Sequence, residues 1–248
     1  MSNGALLCLP TYNERENLAA MIDALERVRQ SEPDLDVLVI DDGSPDGTGD
    51  IADGLARTRP WLHVLHRADK EGLGRAYLAG FRWALARPYA QVLEMDCDFS
   101  HDPERIPSLR DAVRLAGADV SLGSRYCPGG GVRNWGLLRR VISSGGCLYA
   151  RAILGLSVRD LTGGFKCFRR EVLEAVDLDA VTAEGYAFQV EMTFRTSLLG
   201  FRIAEIPITF ADRIAGGSKM SRRIVAEAAW RVPLLRYRAM RGEIPRRG

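Results

Sequence analysis

Two aspartates separated by one residue, Asp96 and Asp98, are the strongest candidates for chemistry in this sequence. They follow residues 91–95, a short apolar run that is typical of a buried β-strand. Carboxylates at a strand end can turn toward one hard cation, because Mg²⁺ and Mn²⁺ prefer oxygen ligands. Such an ion would bind a diphosphate and neutralise the charge that grows as it departs. A single Asp-X-Asp can also be a solvated strand end, so the neighbouring segments decide between the two interpretations.

Four further apolar runs also end in polar residues. Residues 5–9, 37–40, 62–65 and 120–122 have the composition of strands, and amphipathic helical segments alternate with them. This order predicts an α/β fold with a mainly parallel, Rossmann-like sheet flanked by helices. Ligands bind beyond the carboxyl ends of parallel strands. We therefore expect one crevice to contain the two aspartates and the residues that follow the other runs: Pro10, Tyr12, Glu14, Asp41, Asp42, His66, Arg67, Lys70, Ser124 and Arg125.

The segment that begins at Asp41 and Asp42 has two interpretations. The carboxylates could accept hydrogen bonds from a ribose or a base, or the residues could form a turn, and the turn could fix the acidic pair in place. No GxGxxG follows the first strand and no GxxxxGK[ST] occurs, which argues against a dinucleotide-binding dehydrogenase and a P-loop enzyme. The formal net charge of +2 argues against a general nucleic-acid binder.

The second half of the chain has a different pattern. Residues 128–131 are rich in glycine and are expected to form an irregular loop. Helical segments are predicted around residues 137–154 and 187–198, with a strand over 202–210 between the second of them and a last helix from about Ser221. Pro233 is expected to kink or end that helix. Glu184 and Glu191 are candidates for a sugar contact or a general base, or for support of nearby arginines.

The charge, cysteine and hydropathy patterns predict where the protein works. From Ser218 onward nine basic residues accompany two acidic ones, giving +7 and leaving −5 for the rest. A basic tail on an acidic body favours phosphates or an anionic membrane surface, although a solvated helix has the same composition. Five cysteines without a CxxC spacing favour reduced thiols. With no signal peptide and no run of 18 apolar residues, we expect a cytoplasmic, peripheral membrane protein.

The polar segments together resemble a known enzyme family. Four segments resemble those of family 2 glycosyltransferases of GT-A fold in general: PTYNE from residue 10, DDGSPDGT from residue 41, GLG from residue 72 and DCD from residue 96. Five later segments resemble a narrower group within that family, the dolichol- or polyprenol-phosphate mannose synthases: GSRY from residue 123, NW from residue 134, RRVIS from residue 139, TGGF from residue 162 and RIAGGSK from residue 213. The resemblance covers residues 5 to about 225.

The resemblance implies an activity and an organisation. The activity is metal-dependent, inverting transfer of mannose from GDP-mannose to dolichyl or polyprenyl phosphate, with Mg²⁺ or Mn²⁺ as the cofactor. Alternatives are a prenyl-phosphate glucosyltransferase that uses UDP-glucose and a family 2 transferase with a hydroxyl acceptor; a non-catalytic nucleotide-sugar-binding subunit is a reading from a different class. We predict a GT-A domain over residues 1–217 and a basic C-terminal helical arm over residues 218–248. The arm, or a membrane-anchoring partner protein, would hold the enzyme at the bilayer.

The resemblance also assigns roles to residues. It implies a donor site formed by Pro10, Tyr12, Glu14, Asp41, Asp42, Lys70, Asp96, Cys97, Asp98 and Arg125. It implies a metal site at Asp96 and Asp98, where the third ligand is either Ser100, which replaces a glutamine of some relatives, or water. The acceptor phosphate is assigned to Arg125, Arg139, Arg213, Ser218 and Lys219. The catalytic set is Asp98, Arg125, Arg139, Arg213 and Lys219.

A phosphate acceptor would remove the need for a general base. Hydroxyl acceptors must lose a proton, and family 2 members often supply the base from a Glu-Asp pair, which this sequence does not contain. A prenyl phosphate is already mostly ionised near pH 7, because the second pKa of a phosphate is about 6. The remaining difficulty is repulsion between two anions, which arginine and lysine side chains can offset. We therefore predict direct displacement at the anomeric carbon without a covalent intermediate.

Overall fold

The structure is a computed structural model that describes residues 4–211 and 222–246, with the backbone alone for residues 222–228. The strands are β1 (Ala5–Thr11), β2 (Leu35–Asp41), β3 (Leu62–His66), β4 (Gln91–Glu94), β5 (Val120–Ser124), β6 (Gly131–Val132), β7 (Lys166–Arg169), β8 (Ile203–Pro207) and β9 (Thr209–Phe210). The helices are α1 (Arg15–Val28), α2 (Thr48–Ala56), α3 (Leu73–Leu85), α4 (Ile106–Arg114), α5 (Leu137–Leu154), α6 (Arg170–Ala175), α7 (Gly185–Leu198) and α8 (Arg222–Met240).

Seven strands form one sheet in the order β3-β2-β1-β4-β7-β5-β8. Six of them run in the same direction, and β7 is antiparallel to both of its neighbours, β4 and β5. The strands β6 and β9 form a separate parallel pair. The predicted α/β class with a mainly parallel sheet flanked by helices is therefore confirmed, and the carboxyl ends of six strands meet at one edge.

Helices cover both faces of the sheet because alternate side chains of each strand point to opposite faces. On one face, Leu7 and Leu9 of β1 pack with α1, α2 and α4. On the other, Leu6 and Cys8 pack with α3, α6 and α7. All five cysteines are free thiols, as predicted. Within residues 4–211 and 222–246, no helix has the length and apolarity that crossing a bilayer requires.

The C-terminal helix α8 does not end at Pro233, contrary to one of the two sequence expectations, but continues to Met240. Proline has no backbone N–H, so the carbonyl of Ala229, four residues earlier, loses its helical donor. The Tyr149 hydroxyl of α5 donates to that carbonyl at 2.6 Å. Apolar side chains of α8, including Val232 and Leu235, pack with α5 and α7 in a third core cluster. A side chain from a neighbouring helix therefore supplies the missing donor.

Two further expectations are corrected. Gly131 of the predicted irregular loop is part of β6, which pairs with Thr209 and Phe210 of β9. The strand predicted over residues 202–210 is two short strands that break at Ile208, because β8 pairs with the main sheet and β9 with β6. The antiparallel strand β7, which the sequence reading did not predict, is only four residues long and includes the charged Lys166.

Candidate active site

A cleft of about 270 Å³ lies at the carboxyl edge of the sheet. The turn after β1, the segment before α3 and the start of α7 line it together with the residues after the central strand β4, which we call its floor. Besides Leu73 and Ala76, the residues that line it are Pro10, Thr11, Tyr12, Glu14, Asp42, Lys70, Gly72, Asp96, Cys97, Asp98, Thr162, Gly164, Gly185, Tyr186 and Gln189. Eight of the ten residues predicted to bind the donor are therefore brought together.

The β1–β2 end of the cleft combines an aromatic ring, a lysine and a fixed carboxylate. The Lys70 ammonium lies 3.7 Å from the centroid of the Tyr12 ring. Asp42 forms an ion pair with Arg67, and its Oδ2 accepts a hydrogen bond from the backbone N–H of Gly72 at 3.3 Å. Asp42 is therefore held between two loops, with its carboxylate at the wall of the cleft.

Asp41, also predicted to bind the donor, is not at the cleft wall. It is buried, and its carboxylate is close to the hydroxyl of Thr11 at 3.4 Å and the backbone N–H of Ser44 at 3.3 Å. A Cβ atom on Gly49 would lie 2.9 Å from Asp41 Oδ2, so α2 packs closely against this side chain. Of the two sequence interpretations, the structure fits the turn for Asp41 and the ligand-facing position for Asp42.

The aspartates after β4 are both at the floor of the cleft. The Tyr77 hydroxyl donates to Asp96 Oδ1 at 3.2 Å, and burial, together with the charge of Asp96, raises the pKa of Tyr77. Asp98 Oδ1 accepts from the backbone N–H of Ser100 at 3.0 Å and from its hydroxyl at 2.5 Å. Ser100 is therefore hydrogen-bonded to Asp98 and does not line the cleft. For this reason we do not assign it as a third metal ligand.

The two carboxylates fit a divalent cation that prefers oxygen ligands. Asp96 and Asp98 line the same cleft from alternate positions of one loop. No group of three or more histidine, cysteine, aspartate or glutamate side chains suited to a metal occurs in the described part of the chain. Two protein carboxylates would leave further positions for ligand and water oxygens, which is how Mg²⁺ is commonly bound beside phosphates.

Arg125, predicted to contact both donor and acceptor, is buried beside the cleft. Its guanidinium forms a bidentate pair with Asp160 at 2.6 and 2.7 Å and donates to the Thr162 hydroxyl at 2.7 Å. Burial opposes ionisation of Asp160, but Arg125 and hydrogen bonds to the carboxylate outweigh it and lower the pKa of Asp160. Arg125 is not among the described residues that line the cleft, but Thr162, to which it donates, is one of them.

The remaining predicted cations lie farther along the chain. The Arg139 guanidinium is 4.1 Å from the centroid of the Trp135 ring, at the start of α5. Trp135 is buried and packs edge-to-face on Phe210 of β9. Arg213, Ser218 and Lys219 lie outside the described residues.

The two glutamates left open by the sequence occupy different positions. Glu191 is buried and accepts hydrogen bonds from Arg195 Nε at 2.8 Å and from the backbone N–H of Ala183 at 3.1 Å. It therefore supports an arginine and a loop, which agrees with the sequence interpretation that this glutamate supports nearby arginines. Glu184 is exposed just before α7, where a Cβ atom on Gly72 would lie 3.6 Å from its Oε2.

Several residues line the cleft although no role was predicted for them. Thr162 and Gly164 belong to the TGGF segment, whose resemblance to the family was the signal for their importance. Tyr186 and Gln189 belong to α7, where ten consecutive residues are buried. No periodicity marks one polar residue of such a helix as facing a cleft.

Comparison with known proteins identifies relatives of this chain. Residues 7–177 match glycosyl transferase family 2. The undecaprenyl-phosphate mannosyltransferase of Micrococcus luteus is 54% identical over 223 residues, which are 90% of this chain and 90% of that protein. The polyprenol monophosphomannose synthase of Mycolicibacterium smegmatis is 51% identical over 228 residues, 92% of this chain and 84% of that protein.

Solved structures share the fold at much lower identity. The glucosyl-3-phosphoglycerate synthase of Mycobacterium tuberculosis, in complex with Mn²⁺, UDP-glucose and phosphoglyceric acid, superposes with a TM-score of 0.68. The two are 18% identical, and the match covers 94% of this chain and 79% of that chain. At this identity the match supports the architecture described above.

Proposed function

The chain belongs to glycosyl transferase family 2, and from this premise we propose that it transfers mannose from GDP-mannose to dolichyl or polyprenyl phosphate with inversion at the anomeric carbon. The observation that carries the proposal is one cleft lined by Asp42, Asp96 and Asp98 in a chain 51–54% identical to proteins named for this type of transfer. We assign the reaction to residues 1–217 and contact with the membrane to the basic arm, residues 218–248.

Asp96 and Asp98 would hold a divalent cation, Mg²⁺ or Mn²⁺, in this cleft. Their shared position and the presence of Mn²⁺ in a structural relative support the assignment. Such an ion supplies charge neutralisation for a departing diphosphate. Tyr77 orients Asp96 and Ser100 orients Asp98 through their hydrogen bonds, so both carboxylates are positioned before a donor binds.

The nucleotide would occupy the β1–β2 end of the cleft. Tyr12 and Lys70 offer a ring and a charge there, and Asp42 offers carboxylate oxygens to a ribose or a base. Pro10, Glu14 and Cys97 complete the donor site. Asp41 contributes to the donor site indirectly, because it stabilises the turn from which Asp42 projects.

The acceptor phosphate enters as a nucleophile that is already ionised, so no side chain needs to remove a proton. We assign it to Arg139, whose guanidinium lies 4.1 Å from the centroid of the Trp135 ring and is held there by a cation–π contact. Arg213, Ser218 and Lys219 keep their predicted roles at this phosphate. Arg125 acts through Thr162 as a positioning residue, because Asp160 already occupies its guanidinium.

A donor and acceptor screen tests this function. The protein is incubated with Mn²⁺, prenyl phosphate and radiolabelled GDP-mannose or UDP-glucose, and organic-extractable label is counted. We expect label from GDP-mannose alone. Label only from UDP-glucose would overturn the assignment of mannose, and transfer to free hydroxyl acceptors without prenyl phosphate would overturn the base-free mechanism.

Exposed apolar side chains support contact with a membrane. Leu137, Leu138 and Val141 at the start of α5 are 59–79% exposed, and on α8 Trp230 and Tyr237 are 51–56% exposed. Basic residues accompany them along both helices, as in helices that lie at anionic bilayer surfaces. Such side chains can enter the headgroup region while the arginines contact lipid phosphates.

We expect the protein to sediment with anionic liposomes and to be released as salt rises, because surface charges are screened. Leu138→Ser and Trp230→Ser should each weaken partitioning by about tenfold, since one large apolar side chain no longer leaves water. Leu115→Ser is the matched control: Leu115 is 77% exposed at the end of α4, on the opposite side of the sheet from α7. Absent or salt-independent binding would indicate anchoring by a partner protein.

A further inference from the structure

Gln189 of α7 is a buried side chain whose orientation is fixed by a buried cation. It is 2% exposed, and its Oε1 accepts a hydrogen bond from the ammonium of Lys166 on β7. The same ammonium donates to Glu94 Oε1 on β4 at 2.9 Å, and both residues are at most 1% exposed. A lysine ammonium only donates, so the amide oxygen must face Lys166 and the amide nitrogen must face away.

The amide nitrogen of Gln189 lies beside the glycine that flanks Asp96. Gln189 lines the cleft. Glu94 lies near enough for a hydrogen bond from Gln189 to oppose the rise that burial causes in the pKa of Glu94, and the donor is Nε2, which is buried and makes no other hydrogen bond in the described part of the chain. A Cβ atom on Gly164 would lie 3.2 Å from this nitrogen and 3.9 Å from Asp96 Oδ1, so the amide and the carboxylate flank the same glycine. The amide nitrogen carries two N–H groups, so one remains when Glu94 accepts the other. A ligand oxygen beside Asp96 would accept a hydrogen bond from the remaining N–H.

The order of the strands indicates which part of a ligand this would be. From β2 through β1 and β4 to β7, the carboxyl edge presents Asp42, then Tyr12, then Asp96, and then the Lys166–Gln189 pair. An extended nucleotide sugar has its base and ribose at one end, its diphosphate in the middle and its sugar at the other end. With the nucleotide at β1–β2 and the diphosphate at Asp96, the sugar lies next to Gln189.

We propose that Gln189 Nε2 donates a hydrogen bond to a hydroxyl oxygen of the transferred sugar and so contributes to donor specificity. The assignment rests on the proposed glycosyl transfer from a nucleotide sugar. A neutral amide suits a hydroxyl, whereas the cations predicted for this site suit phosphates. Lys166 and Glu94 act as positioning residues, because Lys166 donates to the amide oxygen and Glu94 accepts from the amide nitrogen, which leaves one N–H for the cleft.

Gln189→Met tests the contact, because methionine fills a similar volume without a donor. We expect kcat/KM for the nucleotide sugar to fall about 5- to 50-fold, the effect of one hydrogen bond, while inhibition by the free nucleoside diphosphate stays within about twofold. GDP-mannose and UDP-glucose are both tried, and the measurement uses the one that the unaltered protein transfers.

Gln91→Met is the matched control. Gln91 is also a buried glutamine whose Oε1 accepts from a buried cation, Arg110 Nε at 2.9 Å, but it is remote from the cleft. Its replacement should lower the melting temperature and leave kcat/KM unchanged. Equal losses of affinity for the nucleotide sugar and the nucleoside diphosphate in Gln189→Met, or no loss in either, would overturn the sugar contact alone. Failure of the unaltered protein to transfer from any nucleotide sugar would overturn the proposed function and the contact together.

Discussion

Replacing Asp98 with asparagine is expected to lower kcat by at least about 10³-fold without unfolding the protein. The exchange keeps the shape of the side chain, and its Oδ1 can still accept the backbone N–H and hydroxyl of Ser100. It removes the negative charge at the floor of the cleft that a divalent cation needs. Stabilisation of a departing diphosphate is worth several kcal/mol, and each 1.36 kcal/mol is a factor of ten in rate. Initial rates at saturating Mn²⁺, with circular dichroism for the fold, check the result.

Asp102→Asn is the control for this experiment. Asp102 is exposed four residues later in the same segment, and its Oδ1 accepts the backbone N–H of Glu104 at 3.1 Å. Asparagine can keep that bond, so we expect activity within about twofold of the unaltered protein. Full activity of Asp98→Asn would remove the assignment of this carboxylate to the metal, whereas equal losses in both variants would indicate a general effect of charge in this loop.

The sheet could be predicted from the sequence because its strands are covered by helices on both faces. Residues 5–9 and 37–40 are apolar at every position, and the structure buries all of them. The strand β7 was missed because Lys166 interrupts the apolar pattern, and its charge is tolerated only because Glu94 and Gln189 meet it inside the fold. A short strand that is stabilised by partners 72 and 23 residues away leaves no local signal.

Site residues could be predicted from the sequence where the end of one strand is enough to bring the side chain to the cleft. They could not be predicted where the direction of the side chain depends on a partner from a distant segment. Asp96 and Asp98 need only the end of β4 to reach the cleft. For Arg125, position after β5 correctly placed the backbone at the same edge, but the side chain turns to Asp160, 35 residues later. Spacing and composition do not indicate that this arginine already has a carboxylate partner. The same applies to Gln189, whose direction depends on Lys166.

Breaking the buried ion pair of Arg125 and Asp160 should destabilise the fold more than breaking the exposed pair of Arg82 and Asp179. Asp160 is fully buried and Arg125 is 6% exposed, so Asp160→Asn leaves a guanidinium in the interior without its counter-charge. Breaking one partner of such a pair typically costs about 3–5 kcal/mol, a large fraction of the stability of a domain. We expect a loss of this size in the free energy of unfolding, measured with urea at pH 7. A loss below about 1 kcal/mol would show that water reaches the arginine.

Asp179→Asn is the matched control, since Asp179 pairs with Arg82 at 2.5 Å but its side chain is 87% exposed. Solvent screens that pair, and we expect a change below about 1 kcal/mol. The pKa of Asp160 lies below its usual value, so its stabilisation is present at pH values above the unfolded-state pKa. It is lost as pH falls through the lowered folded-state pKa. The difference in stability between the unaltered protein and Asp160→Asn should therefore shrink in acid, while the Asp179→Asn difference stays small throughout.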